Sequence, residues 1–124
     1  MAENFTHPSW VMTPDDFVAF WNGTRLASVA TTGESGWPHA APVEVTLAGG
    51  RFLVPAFANS VRMADLRRNP RLVLTTWDDA WHAAIVYGRV DAPAESSGSV
   101  AVRPTRIYAI RAPRGHHAWR GGEV

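Results

Sequence analysis

Turn signals divide this chain of 124 residues into short runs of strand-forming residues. The runs cover residues 25–32, 39–47, 51–57, 71–77, 81–90 and 100–111. Within them, small and apolar residues alternate with the two-residue period of a half-buried strand, as in RLASVATT at 25–32. Runs spaced this closely are typical of a small antiparallel barrel and leave no room for the crossover helices of a parallel sheet. The sequence therefore predicts a mainly β protein, a six-stranded antiparallel barrel with short helices.

Two short helices interrupt the strand pattern. Thr13 is a good N-cap with Pro14 as the first helical residue, and this helix should end at residues 22–23. Ser60 is the N-cap expected for a second helix, which should end near residues 69–70. We expect one domain over residues 1–124, with a core at 12–111 and an aperiodic tail at 112–124.

Proline and glycine positions refine the strand assignment. Pro42 lacks the N–H that a central strand needs, which favours an edge strand or a bulge at that point. Pro104 is expected to interrupt the last strand for the same reason. Residues 48–50 (AGG) should close a hairpin onto the run at 51–57.

The composition excludes several functional classes. The basic residues number 12 and the acidic residues 11, so the chain lacks the strong positive field of a general nucleic-acid binder. With no cysteine, a disulfide scaffold, a zinc ribbon and a thiol nucleophile are excluded. No apolar run approaches the ~18 residues of a membrane span, and no signal-peptide pattern is present. We expect a cytoplasmic protein with neither a nucleic-acid nor a membrane partner.

Every basic residue is an arginine, so an anionic ligand would be held by guanidinium, hydroxyl or backbone N–H groups. Ser60 and Arg62 combine all three at the start of the second helix, which predicts an anion site. The alternative is an ordinary N-cap serine beside a solvated arginine. Arg67 is a candidate second anion contact, whereas Arg68 and Arg71 are better explained by the negative end of the helix dipole.

Other chemistry has little support in the sequence. His39, His82, His116 and His117 show no metal-ligand spacing, so no metal site is expected, and no catalytic residue can be named. His39 is either a proton donor to substrate or a surface histidine. Trp21 is expected in the core, and four other tryptophans favour an interface because they lie at strand ends or in the tail: Trp37, Trp77, Trp81 and Trp119. For Trp77 and Trp119 the alternative is stacking over a bound ligand.

Several segments, in order, resemble one known superfamily. Residues 26–32 (LASVATT) and 36–43 (GWPHAAPV) resemble the opening hairpin of the pyridoxamine-phosphate-oxidase-like split barrels. The segment SVRMADLRRNPR at 60–71 is similar to the helix and turn of that superfamily, and 72–75 and 85–90 are similar to later strands. Residues 102–108 and 117–120 resemble its closing segment. The resemblance extends over residues 13–120. Within the superfamily, this sequence is most similar to the short flavin/deazaflavin oxidoreductase group.

That resemblance implies a homodimeric split barrel that binds flavin mononucleotide (FMN) or the deazaflavin coenzyme F420 in grooves at the dimer interface. The implied activity is hydride transfer between the cofactor and a small unsaturated or quinone-like substrate. A non-catalytic protein that binds or stores the cofactor is the alternative. The implied cofactor ligands are Ser60 and Arg62 at the phosphate and the strand at 41–45 against the ring, with additional contacts. The full set is Ala41, Pro42, Val43, Glu44, Asn59, Ser60, Arg62, Arg67 and Trp77.

Three departures from the family pattern concern this groove. Glu44 places a carboxylate where relatives carry an apolar residue, so it either faces solvent or repels an anionic reduced ring. Pro55 removes one N–H from the strand before the phosphate loop. The segment at 92–99 is shorter than its counterpart in relatives, which leaves the substrate side open or completed by the partner subunit.

Overall fold

The computed structural model describes residues 11–24, 26–91 and 98–111. These residues form two helices and seven strands, so the predicted count of six strands is wrong by one. The predicted tail at 112–124 lies outside the described residues. The elements are α1 (Pro14–Gly23), β1 (Ala27–Thr32), β2 (Pro38–Val43), β3 (Thr46–Ala48), β4 (Arg51–Pro55), α2 (Val61–Arg68), β5 (Arg71–Trp77), β6 (His82–Val90) and β7 (Ser99–Arg111).

The strands form one antiparallel sheet in the order β2-β1-β5-β6-β7-β4-β3. Its two edge strands, β2 and β3, are consecutive in the chain and separated by Glu44 and Val45 alone. Three Cα–Cα steps span at most about 11 Å, so the two edges of the sheet must approach each other there. The sheet is therefore curled into a barrel that is open between β2 and β3, as expected for a split barrel.

The added strand results from a break in the run predicted at 39–47. Pro42 pairs with Ser28 at the sheet edge, which confirms the edge position predicted for this proline. After Val43 the chain leaves β1 and, from Thr46, pairs with β4 instead. The Val45 carbonyl accepts a hydrogen bond of 3.0 Å from Trp21 Nε1, so its bond goes to a helix rather than to a strand.

Helix α1 begins and ends where the sequence predicts, and it covers one end of the barrel. Thr13 accepts the N–H of Asp16 at 3.0 Å, and the Asp16 carboxylate completes a capping box. Trp21 is buried, as predicted, and its ring lies 4.8 Å from that of Phe52 on β4. Within the described ranges, no helix is long and apolar enough to cross a membrane.

Helix α2 closes the barrel against β1, with Met63 and Leu66 buried beneath it. The core between the two helices is built from alternate residues of the strands, as the two-residue period requires. Its strand residues include Val29, Phe52, Val54, Leu72, Leu74, Ala84, Val86, Val90, Val100 and Val102.

Pro104 does not interrupt the last strand, contrary to expectation. β7 runs unbroken from Ser99 to Arg111, and the irregularity is a bulge: Gly88 pairs with Pro104, whereas Tyr87 pairs with Arg106. Thr105 is the extra residue, and its hydroxyl donates to the Tyr87 carbonyl at 3.1 Å. A bulge accommodates a proline because it already interrupts the hydrogen-bond ladder.

Candidate functional site

The sequence predicts an anion site at the N-terminus of α2, and the family resemblance implies a phosphate there. Ser60 caps this helix as expected, because its Oγ accepts the N–H of Met63 at 3.0 Å. The same hydroxyl donates to the Phe57 carbonyl at 2.8 Å, so its hydrogen is already used within the protein. The amides of Val61 and Arg62, in the first helical turn, are the donors that a helix leaves free for an anion.

Arg62 is held beside the end of β4. Its Nη1 donates to the Pro55 carbonyl at 2.7 Å, which leaves four of its five N–H donors for other partners. Burial lowers the pKa of Arg62 below its ordinary value, although a guanidinium stays charged at neutral pH. The contact also gives Pro55 a role: its carbonyl positions the guanidinium at the start of α2.

The predicted ring-binding residues lie along β2 and just beyond it. Ala41 and Val43 are half-buried, whereas Pro42 is exposed on the opposite face of the strand. Because β2 is an edge strand, one side of its backbone is free of the sheet ladder. Glu44 is exposed and lies in a groove beside Thr24 at the end of α1, which agrees with the solvent-facing alternative.

The remaining predicted ligands have different surroundings. Asn59 is exposed in the turn before α2, and Arg67 is exposed in the last turn of that helix. Trp77 lies at the end of β5, where 67% of its surface is exposed. It lines a cleft between α1 and the β5–β6 turn, which we call the hairpin cleft, and this cleft contains neither Ser60 nor Arg62.

A buried carboxylate on α2 was not identified from the sequence. Asp65 is 1% exposed, and its Oδ2 accepts the hydroxyl of Thr31 at 2.7 Å. Its Oδ1 accepts Arg68 Nη2 at 2.8 Å, so Arg68 serves this ion pair rather than the helix dipole alone. His39 Nδ1 lies 3.8 Å from Oδ2, at the surface above it. The Asp65–Arg68 spacing of three residues on a helix was the available signal.

A second group of residues missed by the sequence analysis lines a cleft of about 640 Å³ on the outer face of the sheet, which we call the sheet cleft. Arg71, Arg89 and Arg106 line it from three different strands, with Tyr87 between them. Arg71 lies directly opposite Arg89 in the β5–β6 ladder. Like charges in that arrangement repel, and an anion between them would relieve the repulsion. Arg71 thus lines the sheet face and also contacts the end of α2, because its Nε donates to Oδ1 of Asn69, the C-cap of that helix, at 3.1 Å.

Metal ligands are not gathered in the parts of the chain that the structure describes, where no three His, Asp or Glu side chains are grouped suitably. His39 and His82 each approach one carboxylate, Asp65 and Asp78. His116, His117 and Trp119 lie outside the described residues.

Solved structures with the same fold include several of bacterial origin. A conserved hypothetical protein of Mycobacterium tuberculosis, Rv2991, matches with a TM-score of 0.74 and 18% identity over 86% of this chain and 89% of that one. An F420 reductase matches with a TM-score of 0.59 and 15% identity, over 67% of this chain and 88% of that one. A FAD-binding protein of Mycobacterium smegmatis matches with a TM-score of 0.66 and 18% identity, over 82% of this chain and 96% of that one. At these identities the matches show the fold alone.

A search of the curated proteins gives no match. The family model described as pyridoxamine 5'-phosphate oxidase matches residues 13–112, which include both helices and all seven strands of the described structure. The split barrel, the order of its strands and this match agree with the resemblance seen in the sequence. The chain belongs to the pyridoxamine 5'-phosphate oxidase family.

Proposed function

We propose that this protein is a homodimeric oxidoreductase that binds FMN or coenzyme F420 and transfers hydride between that cofactor and a small unsaturated or quinone-like substrate. Family membership supports a flavin-type cofactor, as do two structural neighbours, an F420 reductase and a FAD-binding protein. The single observation that carries the proposal is the position of Arg62, fixed by the Pro55 carbonyl at the capped N-terminus of α2.

The residues at this position fit a phosphate group, which both cofactors carry. In the proposal, the amides of Val61 and Arg62 and the Arg62 guanidinium donate to the phosphate oxygens. Ser60 acts by capping the helix and orienting those amides, because its own hydrogen is used by the Phe57 carbonyl. Asn59, exposed just before the helix, and Arg67, exposed in its last turn, supply further donors in this proposal.

The edge strand β2 fits the ring of the cofactor. Its free backbone N–H and C=O groups match the alternating donors and acceptors of a pyrimidine edge, and Ala41 and Val43 are small enough to let the ring approach. The bound cofactor supplies the hydride chemistry. The chain binds it, orients it and places backbone donors near the charge that develops on reduction. Because Glu44 lies beside α1, the repulsion of a reduced ring considered above is not part of this proposal.

A second subunit completes the groove in this proposal. The exposed Trp37 and the arginine-lined sheet cleft are surfaces of the kind that interfaces use. The segment at 92–99 is shorter in sequence than its counterpart in relatives, and residues of the partner complete the substrate side in this proposal. Mass measured by light scattering should therefore be that of a dimer.

Titration of the purified protein with FMN and with F420, followed by cofactor fluorescence, tests the proposal. Arg62→Ala should weaken binding by about tenfold or more, since a hydrogen bond to a charged group contributes about 1.5–3 kcal/mol. Arg51→Ala, an exposed arginine on β4, is the matched control and should bind as the wild type does. Failure of the wild type to bind either cofactor would contradict the proposal.

Turnover distinguishes the two functions that the sequence leaves open. An oxidoreductase bound to reduced cofactor should pass hydride to at least one member of a panel of quinones and enones. Tight binding without any transfer would instead identify a protein that holds or stores the cofactor.

A further inference from the structure

The turn between β5 and β6 is organised by one carboxylate. Asp78 Oδ1 accepts the backbone N–H of Ala80 at 2.9 Å and that of His82 at 3.0 Å, and the Asp78 N–H donates to the His82 carbonyl at 3.1 Å. Within this turn Trp81 has a φ of +65°, in the left-handed region. A bulky residue rarely adopts this conformation, and such strain is concentrated at functional positions.

The same carboxylate orients the imidazole of His82. Nδ1 lies 2.9 Å from Asp78 Oδ2, and the ring stacks on Phe20 with centroids 5.6 Å apart. An ionised carboxylate accepts hydrogen bonds only, so Nδ1 carries the hydrogen that faces it. Nε2 is the other polar atom of the ring, and it makes no hydrogen bond among the described residues. The carboxylate of Asp78 and the ring of Phe20 therefore hold the imidazole in place and leave Nε2 for a ligand.

This imidazole lines the hairpin cleft, which has a volume of about 600 Å³. Trp77 and Leu26 provide an exposed apolar wall, and Arg111 lies opposite His82 in the β6–β7 ladder. The Arg111 guanidinium makes no hydrogen bond or ion pair within the described ranges. The carboxylates of Asp16 and Asp78 also line the cleft, but the first belongs to the capping box of α1 and the second to the turn. An entering molecule therefore meets a flat indole, a guanidinium and an imidazole nitrogen.

We propose that the hairpin cleft is a binding site for a planar aromatic carboxylate, with its ring against Trp77 and its carboxylate on Arg111, beside the imidazole of His82. Each contact matches a group that the structure leaves available. A guanidinium group binds a carboxylate through two parallel hydrogen bonds, in a bidentate arrangement, and an aromatic ring stacks on an exposed indole. Binding here requires no cofactor, so its test is independent of the oxidoreductase activity proposed above.

The probe is 2-naphthoate, a planar aromatic carboxylate, with 2-naphthamide as the neutral analogue of the same shape. Calorimetric titration of the full chain should give saturable binding of the carboxylate and at least tenfold weaker binding of the amide. In ¹H–¹⁵N spectra, the probe should shift the Trp77 indole signal and the His82 Nε2 resonance. Equal affinity for carboxylate and amide would overturn the proposal, because Arg111 would then contribute nothing.

Matched variants locate the site. Arg111→Ala and Trp77→Ala should each weaken 2-naphthoate binding at least fivefold, since both side chains are exposed and their removal leaves the core intact. Arg51→Ala, an exposed arginine on β4 that does not line the hairpin cleft, should leave the affinity unchanged. If Arg62→Ala abolishes binding while Arg111→Ala does not, the probe occupies the N-terminus of α2 and the proposal is wrong.

Discussion

Gly88 is the position where adding a single methyl group should cost most. A Cβ built on this glycine would lie 2.3 Å from Val102 Cγ1 and 3.3 Å from the Arg103 carbonyl oxygen. Carbon atoms pack best at about 3.5–4.0 Å, so the two groups must separate by more than 1 Å. Val102 is fully buried in the core, and its branched side chain has few alternative rotamers. The methyl group therefore forces a shift of strand β6 or β7 next to the bulge.

The expected magnitude combines two opposing effects. Overpacking of this kind costs about 1–3 kcal/mol, and replacing glycine within a strand recovers about 0.5–1 kcal/mol. Because the contact is far below any normal distance, we expect Gly88→Ala to lower the free energy of unfolding by about 2 kcal/mol. Chemical denaturation followed by tryptophan fluorescence, at one protein concentration, measures this directly if the slope m is unchanged.

Two further variants test the reason for the effect. In a Val102→Ala background the clash is gone, so Gly88→Ala should cost nothing or should stabilise, with a coupling energy of at least about 1 kcal/mol. Gly23→Ala is the control, because a Cβ there meets nothing within 4 Å, and its effect should be neutral or slightly stabilising. A Gly88→Ala cost that is equal in both backgrounds would refute the steric explanation.

Two other predictions concern polar groups. Thr31→Val removes a buried hydrogen bond to the Asp65 carboxyl group, which is also paired with Arg68, and should cost about 1.5–3 kcal/mol by chemical denaturation. Thr76→Val removes a bond to a neutral carbonyl and should cost about 1 kcal/mol. Equal losses would show that the Asp65 group is no stronger an acceptor than a backbone carbonyl. The hydrogen bond from Arg103 lowers the pKa of Asp91, so this pair contributes stability above the unfolded pKa and loses it as the pH falls through the folded pKa. Carboxyl NMR titration should show the Asp91 pKa rising in Arg103→Ala, and an unchanged pKa would contradict the assignment.

Local features of the fold could be read from the sequence because they depend on residues within about four positions. The N-caps Thr13 and Ser60 are such features, since a side-chain oxygen and the amide it accepts are three residues apart. The hairpin between β3 and β4 is another: Gly49 and Gly50 have φ of +58° and +77°, which the two-residue turn requires and glycine allows. The alternation within each strand and the order of the strands along the chain follow from the same local rules. The family resemblance could also be seen in the sequence, because continuous segments carry it.

Contacts between distant segments required the tertiary structure. Whether the run at 39–47 is one strand or two depends on which edge each half joins, and both edges are set by strands elsewhere in the chain. Pro104 is accommodated because Gly88, sixteen positions earlier, faces it across a bulge. The sequence alone does not show how far apart such residues lie after folding.

The candidate sites divide in the same way. By itself the sequence determined the capped N-terminus of α2 with Arg62 near it, because a helix and its cap form from one continuous segment. Only the tertiary structure decided that Arg62 is held by Pro55, that Asp65 is buried beneath Thr31, and that His82 and Arg111 share a cleft. Each of these depends on strands or helices that meet only when the sheet curls, and the chemistry of a side chain depends on the neighbours it then acquires.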